Sequence, residues 1–196
     1  METAVEIRMA SLADAEEILK IYTPYVTDTA ISFEYGVPSL EEFAGRIGRT
    51  LEKYPYLAAV EDGRIAGYAY ASPFKERAAY GRAVETTVYL RQDCRGRGIG
   101  KIIYTALEEV LRKQNILNLN ACIGYTDTPD GHLTNASERF HGRMGYKLVG
   151  HFTKCGYKFG RWYDMIWMEK LIGEHKKNPE PVISVTKLGD LSGILK

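Results

Sequence analysis

The chain has 196 residues, 45% of them hydrophobic, and no apolar run long enough to span a bilayer, so it reads as a single soluble domain able to bury a core. Its 26 basic residues against 25 acidic ones leave a formal net charge of +1, which argues against a general nucleic-acid or acidic-membrane surface and for a small-molecule partner. Cys94, Cys122 and Cys155 lack C-x-x-C pairing, the four histidines lack zinc spacing, and Met1–Glu6 carries acids where a signal peptide carries lysines; free thiols, no metal and a cytoplasmic address are expected.

Val5 to Met9 alternates as a strand does, and Ser11-Leu12-Ala13-Asp14 has the form of a capping box opening a helix with Ile18, Tyr22 and Tyr25 on its apolar face. A second box, Ser39-Leu40-Glu41-Glu42, starts a helix with Leu40, Phe43, Ile47 and Leu51 at helical spacing, which Tyr54-Pro55 ends. Tyr56 to Val60 and Ile65 to Ala71 flank Asp62-Gly63, the signature of a tight antiparallel hairpin. Val84 to Leu90, a helix-like run from Ile99 to Lys113 and Leu117 to Ile123 form a strand-helix-strand unit, which predicts a parallel strand pair. Asn135 to Met144 reads as a short helix stopped by Gly145, and Tyr146 to Phe152 and Trp162 to Met168 read as closing strands. Gly173 to Pro181 reads as a linker into an end, Val182 to Lys196, expected to be loosely packed or partner-dependent.

The most informative stretch is Arg95-Gly96-Arg97-Gly98-Ile99-Gly100, a glycine-rich turn between the Val84–Leu90 strand and a helix. Backbone N–H groups converge there, the helix dipole adds partial positive charge, and glycine admits a phosphate closely, so the expected ligand is a pyrophosphate. A Walker A loop ending at Gly100-Lys101 fails, because it needs glycine at Arg95 and Ser or Thr at Ile102. The dinucleotide pattern G-x-G-x-x-G fails as well, since its third glycine falls on Lys101 or Ile103. The remaining pattern, R-x-x-G-x-G, resembles the pyrophosphate loop of the GCN5-related N-acetyltransferases, which hold coenzyme A.

Further blocks sharpen the resemblance. Ile31-Ser32-Phe33-Glu34, Tyr70 to Tyr80, Val84 to Leu90, Ser137-Glu138-Arg139-Phe140-His141 before Gly145-Tyr146, and Gly156 to Asp164 occur in the order seen in the phosphinothricin N-acetyltransferases. The resemblance covers roughly residues 5 to 171. It implies an α/β (α+β) fold, with a central mixed, mostly antiparallel sheet flanked by helices and a splayed parallel strand pair. Residues 1–172 form the acetyltransferase domain on this reading, and 173–196 a linker and C-terminal extension.

The resemblance also implies roles. Glu85 becomes the general base for an amine attacking the thioester of acetyl-CoA, a task that suits a carboxylate because an ammonium must first lose a proton. His141 stands near the coenzyme sulfur, where an imidazole can protonate or hydrogen-bond the departing thiolate. Val88, Tyr89, Leu90 and the loop Arg95, Gly96, Arg97, Gly98, Ile99 and Gly100, with Asn135 and Ser137, bind the coenzyme. The family commonly places an asparagine seven residues before that histidine; here Asn135 is six before it and Thr134 seven. Phe33, Lys75, Arg77 and Tyr80 line the pocket for an amino acid with an anionic side chain. A covalent route through Cys94 is rejected, since amines attack thioesters directly. Phosphinothricin or methionine sulfoximine are the expected acceptors, a homodimer the expected assembly. Another amine, or a coenzyme-binding sensor without turnover, are the alternatives.

Overall fold

The computed structural model describes residues 5–195, so Met1 to Ala4, most of the acidic N-terminal stretch, and Lys196 lie outside it. Eleven principal elements follow in the predicted order: β1 (Glu6–Met9), α1 (Ala15–Thr27), α2 (Leu40–Leu51), β2 (Tyr56–Glu61), β3 (Arg64–Pro73), β4 (Ala83–Leu90), α3 (Ile99–Lys113), β5 (Asn118–Tyr125), α4 (Ala136–Arg143), β6 (Lys147–Lys158) and β7 (Arg161–Leu171). The local signals act as expected. The Asp14 carboxylate accepts the Ser11 N–H at 2.7 Å ahead of α1, Ser39 Oγ accepts the Glu42 N–H at 3.1 Å at the start of α2, and Asp62 and Gly63 take φ of +50° and +73° between β2 and β3.

The strands form one seven-stranded sheet in the order β1-β2-β3-β4-β5-β7-β6, antiparallel except for the β4–β5 pair. Strand alternation sorts the core, reset on β3 by a bulge at Ala66 opposite Ala59 and Val60. On β2 and β3, Leu57, Ala59, Ala66 and Ala69 face α3, whereas Tyr56, Ala58, Ile65 and Tyr68 face α1 and α2. Small residues on the first face let α3 sit close, and stacked tyrosines fill the second, where Tyr56 lies 4.8 Å from Tyr70 between ring centroids. No helix among the described residues is long and apolar enough to cross a membrane.

Two expectations are corrected. The closing strands are longer than read: β6 runs 12 residues, with irregularities between Leu148 and Gly150 and between Phe152 and Gly156, where Lys154 takes φ +50° and breaks the alternation. The C-terminal segment is not loosely packed. Gln114 Nε2 donates to the carbonyls of Lys53 and Ile183 at 2.7 Å each, Arg82 Nη2 donates to Glu180 O at 2.8 Å, and Val185 is buried.

Candidate active site

β4 and β5 are in register at only three positions, Ala83↔Asn118, Val84↔Leu119 and Glu85↔Asn120, and beyond Glu85 they part. Past that point one edge of β4 has no strand beside it. The Arg91 N–H donates to Ala66 O on the β3 side, while the Leu90 N–H points the other way and reaches Tyr25 Oη at 3.2 Å. Because N–H direction alternates, the Val88 N–H faces the same way as that of Leu90, into the gap.

A groove of about 440 Å³ opens on one side of the gap, between the glycine loop and α4. Gly96 and Gly98 take φ of +76° and +84°, the left-handed region, and Gly98 caps α3. The first donors closing back onto Gly98 O are Lys101 and Ile102, so the N–H groups of Ile99 and Gly100 precede any helical acceptor. Arg95 lines the groove with its guanidinium 4.9 Å from the Tyr25 ring centre. Two further cations, Lys101 and Arg143, share that wall, and no motif in the sequence marks them. Three cations around a helix N-terminus suit a pyrophosphate. Arg97 turns away: its guanidinium makes a two-pronged pair with Glu61 at 2.6 and 2.9 Å, tying the loop to the end of β2. Ile99 is buried in the core beneath the loop, and Tyr89 packs edge-on against Tyr22 and Tyr25. Cys94 is buried too, and burial raises its thiol pKa, in keeping with rejection of a covalent route.

On the other side of the gap lies a cavity of about 270 Å³. Glu85 stands half-buried in its wall, and burial lifts the carboxyl above its ordinary pKa against the opposing charge of Lys75. Phe33 forms part of the wall, as do Ser32, Tyr70 and Thr87, also from the family blocks, and Cys122 and Met165, which lie in none of them. Lys75 is held over the rings of Phe74 and Trp167 at 5.0 and 5.6 Å. Arg77 and Tyr80 lie on the exposed turn before β4, outside this wall, with Tyr80 packed edge-on to Phe74.

Ser137 lines both groove and cavity, whereas Asn135 lines neither. The Asn135 amide is spent on the end of β5, donating to Thr126 O at 2.8 Å and accepting from Thr126 N–H at 3.3 Å; Thr134 takes the place in the groove. His141 borders the cavity but is 4% exposed, with both nitrogens engaged. Its Nδ1 lies 2.8 Å from Ser137 O, and a carbonyl only accepts, so Nδ1 carries a proton, while Nε2 lies 3.0 Å from the Tyr104 hydroxyl. Tyr104 in turn lies 2.6 Å from Thr86 Oγ1. Burial lowers the His141 pKa to about 4, so the ring is neutral near pH 7.

A mixed sheet parted at its one parallel pair, with a cationic glycine-loop groove on one side and a carboxylate cavity on the other, defines a GNAT acetyltransferase, and the model of the acetyltransferase (GNAT) domain matches residues 7–167. A phosphinothricin N-acetyltransferase of Streptomyces viridochromogenes is 33% identical over 185 residues, covering 94% of this chain and 96% of its own. An L-methionine sulfoximine/L-methionine sulfone acetyltransferase of Pseudomonas aeruginosa is 33% identical over 168 residues, 85% of this chain and 94% of its own. A phosphinothricin acetyltransferase of Sinorhizobium meliloti, crystallised with acetyl-CoA, superposes with a TM-score of 0.82 at 32% identity, over 90% of this chain and 93% of that one. The chain belongs to the phosphinothricin N-acetyltransferase family of GNAT proteins and is an N-acetyltransferase.

Proposed function

We propose that this enzyme transfers acetyl from acetyl-CoA to the α-amine of a small amino acid of the phosphinothricin or methionine sulfoximine type, by direct attack. The observation that carries the proposal is the placing of Glu85, a half-buried carboxylate with a raised pKa, where β4 and β5 part and where cavity and groove adjoin. Relatives named for phosphinothricin and for methionine sulfoximine support the acceptor class, and the neighbour crystallised with acetyl-CoA supports the donor.

Acetyl-CoA supplies a thioester whose carbonyl an unprotonated amine can attack. The N-terminal turn of α3, with Arg95, Lys101 and Arg143, holds the pyrophosphate, and Thr134 and Ser137 border the pantetheine arm. Glu85 holds the incoming ammonium and takes its proton, directly or through water. Burial raises its pKa, which makes it a stronger base than an exposed glutamate. The Val88 N–H, free on the open edge of β4, faces the thioester oxygen as that atom gains charge. Lys75 does not line the cavity, but its charge reaches Glu85 in the wall and attracts the acceptor's anionic groups. We assign His141 to positioning: a neutral ring beside Ser137 O and Tyr104 ties α4 to α3, and Tyr104 in turn donates to Thr86 on β4.

β6 is the outer strand beside β7 and exposes Leu148, Val149 and Phe152, more than half of each side chain's surface, which supports a homodimer through this edge. Light scattering after size exclusion is expected to return twice the chain mass.

Thiol release from acetyl-CoA tests the reaction, with phosphinothricin, methionine sulfoximine, methionine sulfone and ordinary amino acids as acceptors and Glu85→Gln beside the wild type. Saturable, Glu85-dependent release with the first two is expected. Silence across the panel with acetyl-CoA still bound would redirect the search to other amines or to a sensor role.

A further inference from the structure

Side chains around the tip of the β6–β7 hairpin reach into both loops that flank the cavity. Lys158 is 4% exposed, and its Nζ donates to three backbone carbonyls at the end of α1 and beyond it: Val26 O at 2.7 Å, Thr29 O at 2.8 Å and Ser32 O at 2.7 Å. An ammonium has three donors, so three acceptors satisfy it completely, which a buried cation requires. The site is electrostatically suited to a cation as well, since carbonyls at a helix C-terminus carry partial negative charge. Burial lowers the Lys158 pKa, and Glu34 is the anion that opposes this.

The neighbouring residues repeat the pattern. Phe159 stacks on His132 with ring centroids 3.9 Å apart, and His132 Nδ1 lies 2.8 Å from Asp28 O, so the loop after β5 is fastened to the loop after α1. Arg161 Nη1 donates to Asp130 Oδ2 at 2.7 Å, and Tyr163 Oη donates to the same oxygen at 2.8 Å. A β-carbon on Gly156 would stand 2.3 Å from Phe33 Cε2, so the Phe33 ring lies directly on that glycine. The glycine loop is held elsewhere, by Arg97 and Glu61.

We propose that the β6–β7 hairpin is the specificity clamp of the acceptor cavity and that Lys158 is its positioning residue, holding the loop that carries Ile31, Ser32 and Phe33 in the shape that selects the amine. Lys158 itself does not line the cavity; it acts through one carbonyl in the last turn of α1 and two in that loop. The proposal rests on this cavity holding the acceptor.

The test uses the full chain with Lys158→Ala and Gly156→Ala, measuring both Michaelis constants and hydrogen exchange of the backbone. Lys158→Ala is expected to raise the acceptor KM about tenfold or more, since small displacements of a binding wall are costly. The acetyl-CoA KM is expected to stay unchanged, the preference for methionine sulfoximine over smaller amino acids to narrow, and exchange at residues 26–33 to quicken while α3 stays protected. Equal movement of both KM values, or no movement with exchange at 26–33 unchanged, overturns the clamp. If Lys158→Ala does not fold, Gly156→Ala decides, because it leaves the ammonium cage whole and displaces only Phe33: an acceptor-specific rise supports the clamp, and an unchanged acceptor KM overturns it. A wild type that acetylates no amino acid defeats the acceptor reading instead, and the exchange comparison then decides the clamp alone.

Discussion

The groove beside the glycine loop and the cavity around Glu85 share Ile31, Val88 and Ser137, yet they are built in opposite ways. Much of the groove comes from one short stretch, Arg95 to Lys101, whose backbone shape follows from two left-handed glycines and a helix start. The cavity is assembled from six segments, with Glu85 to Tyr89 of β4 and Ala121 to Gly124 of β5 at its centre and smaller shares from the loop after α1, β3, α4 and β7. A site made of local backbone recognises a fixed group such as a pyrophosphate. A site made of side chains from distant segments can change its ligand while the fold stays the same. On this account the two sites fail separately when mutated.

The largest separation is expected at Glu85. Glu85→Gln keeps the size of the side chain and removes the base, so kcat should fall about 10²- to 10⁴-fold, as loss of general-base help does. Calorimetric affinity for acetyl-CoA should not change, and a parallel loss of that affinity would break the comparison. Gly98→Ala is the mirror case. A β-carbon at φ +84° meets open space but strained backbone, on the order of 1–2 kcal/mol, which should appear as a roughly tenfold higher KM for acetyl-CoA with the acceptor KM unmoved.

Removing the salt bridge between Arg8 and Asp14, remote from both sites, should affect neither KM. This carboxylate accepts two guanidinium bonds at 2.7 and 2.8 Å, and its pKa is lowered to about 2 from an ordinary 3.8, chiefly by Arg8. A depressed acid pKa contributes stability above pH 4 that is lost as pH falls toward 2. Asp14→Asn should therefore cost about 1–2 kcal/mol at pH 7, partly screened by solvent, with the difference from wild type closing in acid; denaturant melts at pH 7 and pH 3 check it.

The same contrast explains what could be read from the chain. Capping boxes, the Asp62-Gly63 turn and the glycine loop are local, so residue type and spacing announced them. Arg97 was read into the groove with its loop, but the nearly buried Glu61 at the end of β2 draws it the other way, and no pattern in 95–100 shows that. The spacing before His141 left Asn135 and Thr134 as alternatives, and Asn135 lies outside the groove because the turn after β5 uses its amide as a tie. Nothing in the Gly156–Asp164 block singles out Lys158, since its three acceptors are carbonyls more than 120 residues away. The tail read as loose because its anchors are Gln114, Asn115 and Arg82, polar side chains whose partners are main-chain atoms.

The pH dependence of kcat/KM with methionine sulfoximine, for wild type, Glu85→Gln and His141→Asn, tests the central claim most directly. Activity should rise with pH as Glu85 loses its proton, along a limb above the ordinary carboxylate range, because burial raises that pKa. The limb should vanish in Glu85→Gln and persist in His141→Asn, since a histidine with a pKa of about 4 is already neutral there. The same limb surviving in Glu85→Gln would contradict the assignment of Glu85 as the base.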